Sequence, residues 1–199
     1  DIVGPFPEAP GKLKYMVVVV DYFIKWIEAE PLACISGRHM IFVWKNIMTR
    51  FGTPKVLISD NGLQFAKNPF REWCAAKGIS QRFTSVAHPQ ANGQTEVSNR
   101  TIVNGIKKRL GKAKGNWAEE IPMVLWSYRT TPQKNTKETP FSLTYGIEAM
   151  LPMEIAVNTL RVANKDEESN MKDLRINLDV LEEKREESSV RQAAYNQVT

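Results

Sequence analysis

Apolar positions early in the chain follow the patterns of two strands and one helix. Residues 15–20 form an almost uninterrupted apolar run, which predicts a buried strand, and residues 25–30 are expected to form its half-exposed partner in a hairpin. Between Ser36, a suitable N-cap, and Gly52, a suitable terminator, apolar side chains recur at helical spacing at positions 41, 44, 47 and 48. The pattern therefore predicts a hairpin followed by an amphipathic helix.

Short strands and helices continue to alternate further along the chain. The apolar residues 56–58 predict a short buried strand that ends at Asp60. Pro69 is placed to begin a helix over residues 70–77, and another strand is expected near residues 81–85. Alternation of this kind predicts a layered α/β domain.

The second half of the chain is predicted to be mostly helical. One long helix is expected to end near Gly111, and another covers residues 117–129. From about Asn164 the sequence is strongly charged, with apolar residues on one face at i, i+4 and i+7, which are Leu174, Leu178 and Leu181. This last part is expected to be an exposed or linker helix.

Charge is distributed unevenly over these segments. Residues 1–163 contain 21 Lys and Arg against 13 Asp and Glu, whereas residues 164–199 contain 6 against 9. A basic surface favours polyanions such as nucleic acid, because phosphate contacts release counterions. The basic part of the chain is therefore a candidate for binding nucleic acid, although many basic proteins bind none.

Cysteine content and hydropathy exclude several classes of protein. Two cysteines and two histidines, Cys34, Cys74, His39 and His88, lack the spacings of a disulfide framework or a zinc module. No apolar run is long enough to span a bilayer, and no leader with a cleavage site is recognisable. We expect a reduced intracellular setting, without secretion or membrane insertion.

Three acidic residues lie at spacings that two-metal phosphoryl-transfer chemistry would need, and they are Asp1, Asp60 and Glu96. Asp60 follows a predicted strand, and α/β sheets bind ligands at the carboxyl ends of their strands. Its alternative role is an Asp-Asn-Gly turn, in which the carboxylate only accepts backbone hydrogen bonds. Asp21 competes with Asp1 for the first position, because a protonated amine at Asp1 would repel a divalent cation at neutral pH.

Glu96 lies near the start of the long predicted helix. At about 100° per residue, it borders the apolar stripe that contains Val103 and Ile106, while Arg100 and Lys107 fall on its other side. A border carboxylate flanked by cations suits a metal ligand beside phosphate-binding residues. The alternative is an i, i+4 salt bridge from Glu96 to Arg100, which contributes only a few tenths of a kcal/mol.

Several longer segments resemble one family. They read DIVGPFP, VVVVDYFIKWIEAEPL, FGTPKVLISDNGLQF, HPQANGQTEVSNR, WAEEIPMVLWSYRTTPQKNT and TPFSLTYG. Together they resemble the integrase catalytic core of retroviruses and long-terminal-repeat retrotransposons, most closely the Ty3/gypsy type of plant genomes. The resemblance covers nearly all of residues 1–155. The thirty-five residues between Asp60 and Glu96 equal the family's spacing.

This resemblance implies a fold and a domain arrangement. The expected fold is α/β and ribonuclease H-like, with three layers and a mixed five-stranded sheet flanked by helices. Residues 1–155 would form this catalytic core, and residues 156–199 a charged helical linker or extension. The family's amino-terminal His/His/Cys/Cys module and its carboxyl-terminal domain are not among these residues, so we expect a piece of a larger polyprotein.

The resemblance also implies roles for individual residues. Asp1, Asp60 and Glu96 would be the catalytic and metal-binding acids, and Asp21 a non-catalytic residue of the second strand. Residues expected to contact DNA are Asn61, His88, Gln90, Asn92, Gln94, Asn99, Arg100, Lys107 and Lys108. For the basic and loop positions the alternative is a solvated surface. The aromatic residues Trp117, Trp126 and Tyr128 are expected in the core rather than stacked on bases.

The expected chemistry follows from these ligands. Hard oxygen donors without a thiolate or histidine cluster favour Mg²⁺ or Mn²⁺ over zinc, and two such ions could assist an in-line displacement at phosphorus. The resemblance implies that water trims the ends of the element's double-stranded DNA, and that the freed 3′-hydroxyl then attacks target DNA. It further implies a homo-oligomer that acts in the nucleus after passing through a cytoplasmic virus-like particle.

Two other functions stay open. The chain could be a catalytically inactive nucleic-acid-binding remnant or a host-adopted module. It could also be a related ribonuclease H-like nuclease that acts on RNA:DNA hybrids, although such enzymes share the fold and metals but not the HPQ loop with the following NGQ and Glu96.

Overall fold

The computed structural model describes residues 1–83, 104–105, 116–151 and 167–198. The strands are β1 (Ile2–Val3), β2 (Tyr15–Val20), β3 (Ile27–Leu32), β4 (Val56–Ser59) and β5 (Ser80–Phe83). The helices are α1 (Gly37–Phe51), α2 (Leu63–Ala66), α3 (Phe70–Ala76), α4 (Trp117–Arg129), α5 (Pro140–Tyr145), α6 (Glu167–Asp179) and α7 (Leu181–Val198). The chain divides into two compact units, the first comprising residues 1–20 and 27–125, the second residues 21–26 and 126–199.

The predicted hairpin is confirmed, with a shifted second strand. β2 pairs antiparallel with both β1 and β3, so Val17 lies opposite Ile2 on one side and Glu30 on the other. β3 begins two residues later than expected because Lys25 lies in a turn, with φ 58°. Pro31 is accommodated because, among the described residues, β3 pairs only with β2 and has a free edge.

Helix α1 has the limits that its caps predict. The Ser36 side chain accepts the His39 backbone N–H at 3.3 Å, and Gly52 ends the helix with φ 80°. The face of α1 that is buried in the core of the first unit consists of Met40, Val43, Trp44 and Ile47. The expected positions 41 and 48 are only partly buried, because the apolar stripe is centred one residue earlier than predicted.

The strand β4 pairs with β5 in parallel, as a two-stranded sheet. The described residues thus form a three-stranded and a two-stranded sheet rather than the expected single sheet of five. β4 is also not buried on both faces. Leu57 and Ser59 are buried while Val56 and Ile58 are exposed, since one face of the strand packs on the core of the first unit and the other does not.

In the second unit, the terminal helix α7 packs on the segment around α5. The Arg185 guanidinium donates to the carbonyl oxygen of Leu143 at 2.9 Å, and that of Arg191 donates to the carbonyl oxygen of Thr136 at 2.9 Å. A single exposed helix was expected in this part of the chain, but the structure has two helices, α6 and α7, which are separated at residue 180. Because of this break, the predicted apolar face is split, with Leu181 buried and Leu178 exposed.

Trp117 is fully buried, as predicted for a core residue, whereas Trp126 and Tyr128 are only half-buried. Across the described part of the chain, no helix is both long and apolar enough to pass through a bilayer.

Candidate active site

Asp60 lies directly after β4, at the carboxyl end of the strand. Its side chain is exposed, and Oδ1 accepts the backbone N–H of Gly62 at 3.1 Å. This is the hydrogen bond of the Asp-Asn-Gly turn that the sequence suggested as an alternative role. It does not exclude a ligand, because metal-binding carboxylates are themselves commonly held by hydrogen bonds. Asn61, the next residue, is also exposed beside this carboxylate.

The segment that follows Asp60 is held by a contact that sequence reasoning missed. The Gln81 side-chain amide, on β5, donates to the carbonyl oxygen of Phe65 in α2 at 3.1 Å. Phe65 is buried and its ring lies 5.8 Å from that of Phe70. Gln81 thus fixes α2 relative to the two-stranded sheet. Its signal in the sequence is weak, because the neighbouring residues of β5 are also mostly polar.

Asp1 continues the strand ladder beyond β1. Its amine donates to the Val18 carbonyl oxygen at 2.9 Å, and the Val18 N–H donates to the Asp1 carbonyl oxygen at 2.8 Å. A backbone N–H at this position would make the same bond. Asp1 is therefore held by strand pairing.

Asp1 and Asp60 interact electrostatically although 58 residues separate them. Burial lowers the pKa of the Asp1 amine from 8.0 to about 6, and the negative charge of Asp60 opposes part of that shift. Burial thus disfavours the charged form of this amine. The expectation that an amine at this position would repel a divalent cation stays a prediction.

Asp21, the competing first acid, has a structural role in the second unit. Its Oδ1 accepts the backbone N–H groups of Phe23 at 2.9 Å and Ile24 at 3.0 Å. The carboxylate thereby closes the turn between β2 and β3. That Asp21 is non-catalytic stays a prediction.

The remaining predicted site residues lie outside the described part of the chain, and their roles stay predictions. They are Glu96, His88, Gln90, Asn92, Gln94, Asn99, Arg100, Lys107 and Lys108. Of the predicted set, the structure describes Asp1, Asp60 and Asn61, and the negative charge of Asp60 acts on the Asp1 amine.

The donors that are described suit a hard divalent cation. Within the described ranges, no group of three or more His, Cys, Asp or Glu is placed to hold a metal, and the third expected acid, Glu96, is not among those residues. Asp1 and Asp60 bring carboxylate oxygens, which Mg²⁺ and Mn²⁺ prefer. The chemistry of this partial donor set fits the expected ions.

Comparisons with known proteins identify the family. Residues 1–89, which contain both Asp1 and Asp60, match the family model described as integrase core domain. The chain is 29% identical over 178 residues to a Pro-Pol polyprotein of Simian foamy virus type 1, covering 89% of the chain and 15% of that polyprotein. It is 33% identical over 144 residues to a Gag-Pol polyprotein of Avian reticuloendotheliosis virus, covering 70% of the chain and 12% of the polyprotein.

A solved structure shares the fold. The HTLV-2 integrase catalytic core domain in complex with magnesium, in a trimeric form, superposes with a TM-score of 0.58 at 20% identity. The superposition covers 71% of this chain and 90% of that one. This likeness supports the ribonuclease H-like α/β class predicted from sequence.

The fold and the acidic site thus define an integrase-type catalytic core. The chain belongs to the integrase core family of retroviruses and retrotransposons. It spans only about one seventh of the polyproteins that it matches.

Proposed function

We propose that the chain acts in DNA integration as a metal-dependent polynucleotidyl transferase. It would trim the ends of an element's DNA and join the freed 3′-hydroxyl to target DNA. The observation that carries the proposal is the position of Asp60 at the carboxyl end of β4, inside a core of the integrase family. Asp60 lies where α/β folds bind ligands, and its negative charge acts on the amine of Asp1, although 58 residues separate the two in the sequence.

Asp1, Asp60 and Glu96 would hold the ions. Two Mg²⁺ or Mn²⁺ ions, when bound, would supply stabilisation of the attacking and leaving oxygens. The magnesium bound by the HTLV-2 integrase core supports the type of ion. The Gly62 N–H, by holding Oδ1 of Asp60, would keep that carboxylate oriented. Each step is an in-line displacement at phosphorus, so no covalent bond to the protein is needed.

The DNA would be held mainly through its phosphates. Asn61 lies beside Asp60, and Arg100, Lys107 and Lys108 belong to the basic part of the chain. Such contacts position the duplex and contribute little to the sequence specificity of DNA binding. The other residues proposed to contact DNA are His88, Gln90, Asn92, Gln94 and Asn99.

Further parts of the proposal concern the assembly. We place the chain in a Ty3/gypsy-type element, with residues 1–155 as catalytic core and 156–199 as linker, acting in the nucleus. A homo-oligomer is supported by the trimeric form of the HTLV-2 core. The five-stranded sheet stays part of the proposal, since the described residues form a three-stranded and a two-stranded sheet.

The proposal is tested by joining labelled DNA ends to plasmid DNA with Mg²⁺ or Mn²⁺, while DNA binding is measured in parallel. We expect Asp60→Asn and Glu96→Gln to lower joining roughly 100-fold or more and to retain binding. Glu8→Gln is the matched control, because Glu8 forms only an exposed ion pair with Lys14 at 2.9 Å. This substitution removes one negative charge at a position outside the candidate active site, and it should leave joining unchanged.

Each outcome favours one function. Equal joining by the control and both site variants would overturn the metal-ligand assignment. DNA binding without joining by the unmodified chain favours the inactive remnant. Cleavage of RNA:DNA hybrids in place of joining favours the nuclease.

A further inference from the structure

Three polar side chains form a cluster at the start of α1, separate from the acids of the candidate active site. The Cys34 Sγ lies 3.6 Å from Nδ1 and 3.9 Å from Nε2 of His39. The Ser36 Oγ lies 2.6 Å from the same Nδ1. Cys34 is exposed to solvent, whereas Ser36 and His39 are half-buried. A thiol, an imidazole and a hydroxyl therefore lie within contact distance of one another.

The helix cap explains why the imidazole is held in place. Ser36 is the N-cap of α1, and its Oγ accepts the His39 backbone N–H at 3.3 Å. A hydroxyl oxygen has two acceptor lone pairs, so it can also accept the His39 Nδ1–H. In that tautomer Nε2 keeps its lone pair and is the ring nitrogen that can accept a proton, and the Cys34 sulfur lies 3.9 Å from Nε2 against 3.6 Å from Nδ1.

This arrangement has the parts of an activated nucleophile. A nucleophile lies within reach of a base, and a third group orients the base. Because the thiolate is the reactive form of cysteine, a neighbouring base increases reactivity. We propose that Cys34 is a reactive thiol that hydrogen peroxide oxidises, with His39 as the base and Ser36 as its positioning residue.

The oxidation is balanced as follows. His39 accepts the thiol proton, and the sulfur attacks one oxygen of the peroxide. The S–O bond forms as the O–O bond breaks, and the departing hydroxide takes the proton back from His39 to leave as water. Sulfur is oxidised from thiol to sulfenic acid, and the peroxide is reduced to water.

The second cysteine provides an internal control. Cys74 is buried in the core of the first unit, with 1% of its surface exposed. Burial raises the pKa of its thiol to about 11. It therefore carries almost no thiolate at neutral pH and reports only on unfolding.

The test uses the full chain treated with hydrogen peroxide at pH 7, with dimedone to trap sulfenic acid and peptide mass spectrometry to compare the two cysteines. Iodoacetamide gives an independent alkylation rate. We expect Cys34 to react at least about ten-fold faster than Cys74, and His39→Gln to slow Cys34 several-fold. Ser36→Ala should slow it as well, while Ser36→Thr, which keeps the hydroxyl and the cap, should restore the rate.

Two results would overturn the inference. One is an unchanged Cys34 rate in His39→Gln, which would mean that exposure alone sets the reactivity. The other is equal labelling of Cys34 and Cys74 in the folded chain. If a variant unfolds, Cys74 labelling rises, and Ser36→Ala compared with Ser36→Thr then decides the question. Integrase activity enters none of these readouts.

Discussion

Trp117, the first residue of α4, donates its indole N–H to the Pro7 carbonyl oxygen at 2.8 Å. The indole is fully buried, and its ring lies 4.6 Å from that of Phe6. The contact joins the amino-terminal segment, which carries Asp1, to a helix 110 positions later. Trp117 therefore helps to hold the first acid of the site through packing rather than through contact with DNA.

Replacing Trp117 with Phe tests this link. Phe keeps an aromatic contact with Phe6 but leaves the Pro7 carbonyl without its donor and reduces the packed volume. We expect the free energy of unfolding to fall by about 1–2 kcal/mol, measured by urea denaturation. Met123→Ala on the same helix is the control, because Met123 is exposed and should change stability by less than about 0.5 kcal/mol. Equal effects of the two substitutions would contradict the link.

Charge coupling between Asp60 and Asp1 is measurable without any activity. Because the Asp60 charge raises the pKa of the Asp1 amine against the larger effect of burial, Asp60→Asn should lower that pKa further below about 6. The pKa is read from the pH dependence of amine acylation in metal-free buffer. Glu8→Gln, at another carboxylate near the amino terminus, should leave it unchanged. An identical pKa of the Asp1 amine in wild type and Asp60→Asn would show that the Asp60 charge does not reach this amine.

Alkaline pH should destabilise the first unit through Cys74. The pKa of this thiol is raised by burial from 9.0 to about 11, so the folded state binds its proton more tightly than the unfolded state. The resulting stabilisation is complete below pH 9 and is lost as the pH rises through 11. Urea denaturation between pH 8 and 11 should show a steeper loss of stability for wild type than for Cys74→Ala. Parallel curves would argue that the thiol titrates normally.

In the second unit, Glu138 connects α7 to the segment before α5. Its carboxylate lies 2.9 Å from Lys184 Nζ and 3.5 Å from Arg191 Nη2. The Glu138 side chain is 21% exposed, so this ion pair is less screened than the surface pairs of α7.

Glu138→Gln should therefore weaken the docking of α7. We expect a loss of about 1–2 kcal/mol in thermal unfolding, with faster hydrogen exchange over residues 181–198. Glu182→Gln is matched in chemistry, but Glu182 is 76% exposed and its pair with Arg185 spans 3.5 Å, so it should cost at most about 0.5 kcal/mol. Equal rates of amide hydrogen exchange over residues 181–198 in the two variants would contradict a role of Glu138 in docking α7.

Local patterns predicted the elements whose cause is local. The limits of α1 followed from Ser36 and Gly52, and the structure has the same caps. β2 follows its apolar run residue for residue. These features depend on hydrogen bonds and apolar periodicity within a few residues, which a sequence displays directly.

Other predictions failed where distant segments decide the outcome. β4 looked buried on both faces, but burial depends on which elements cover it, and Ile58 is exposed. The start of β3 was placed too early, because the turn closed by Asp21 occupies the residues before it. The contact of Gln81 with Phe65 had no clear signal in the sequence.

The sequence by itself determined the family, the candidate acids and the preference for hard divalent ions, because these depend on residue types and their spacing. Only the tertiary structure decided that Asp1 is paired in a ladder, where burial lowers the pKa of its amine and the Asp60 charge acts against that shift. It also decided that Asp21 closes the turn between β2 and β3. The physical reason is that burial and long-range electrostatics arise between segments that are far apart along the chain, and no local pattern records them.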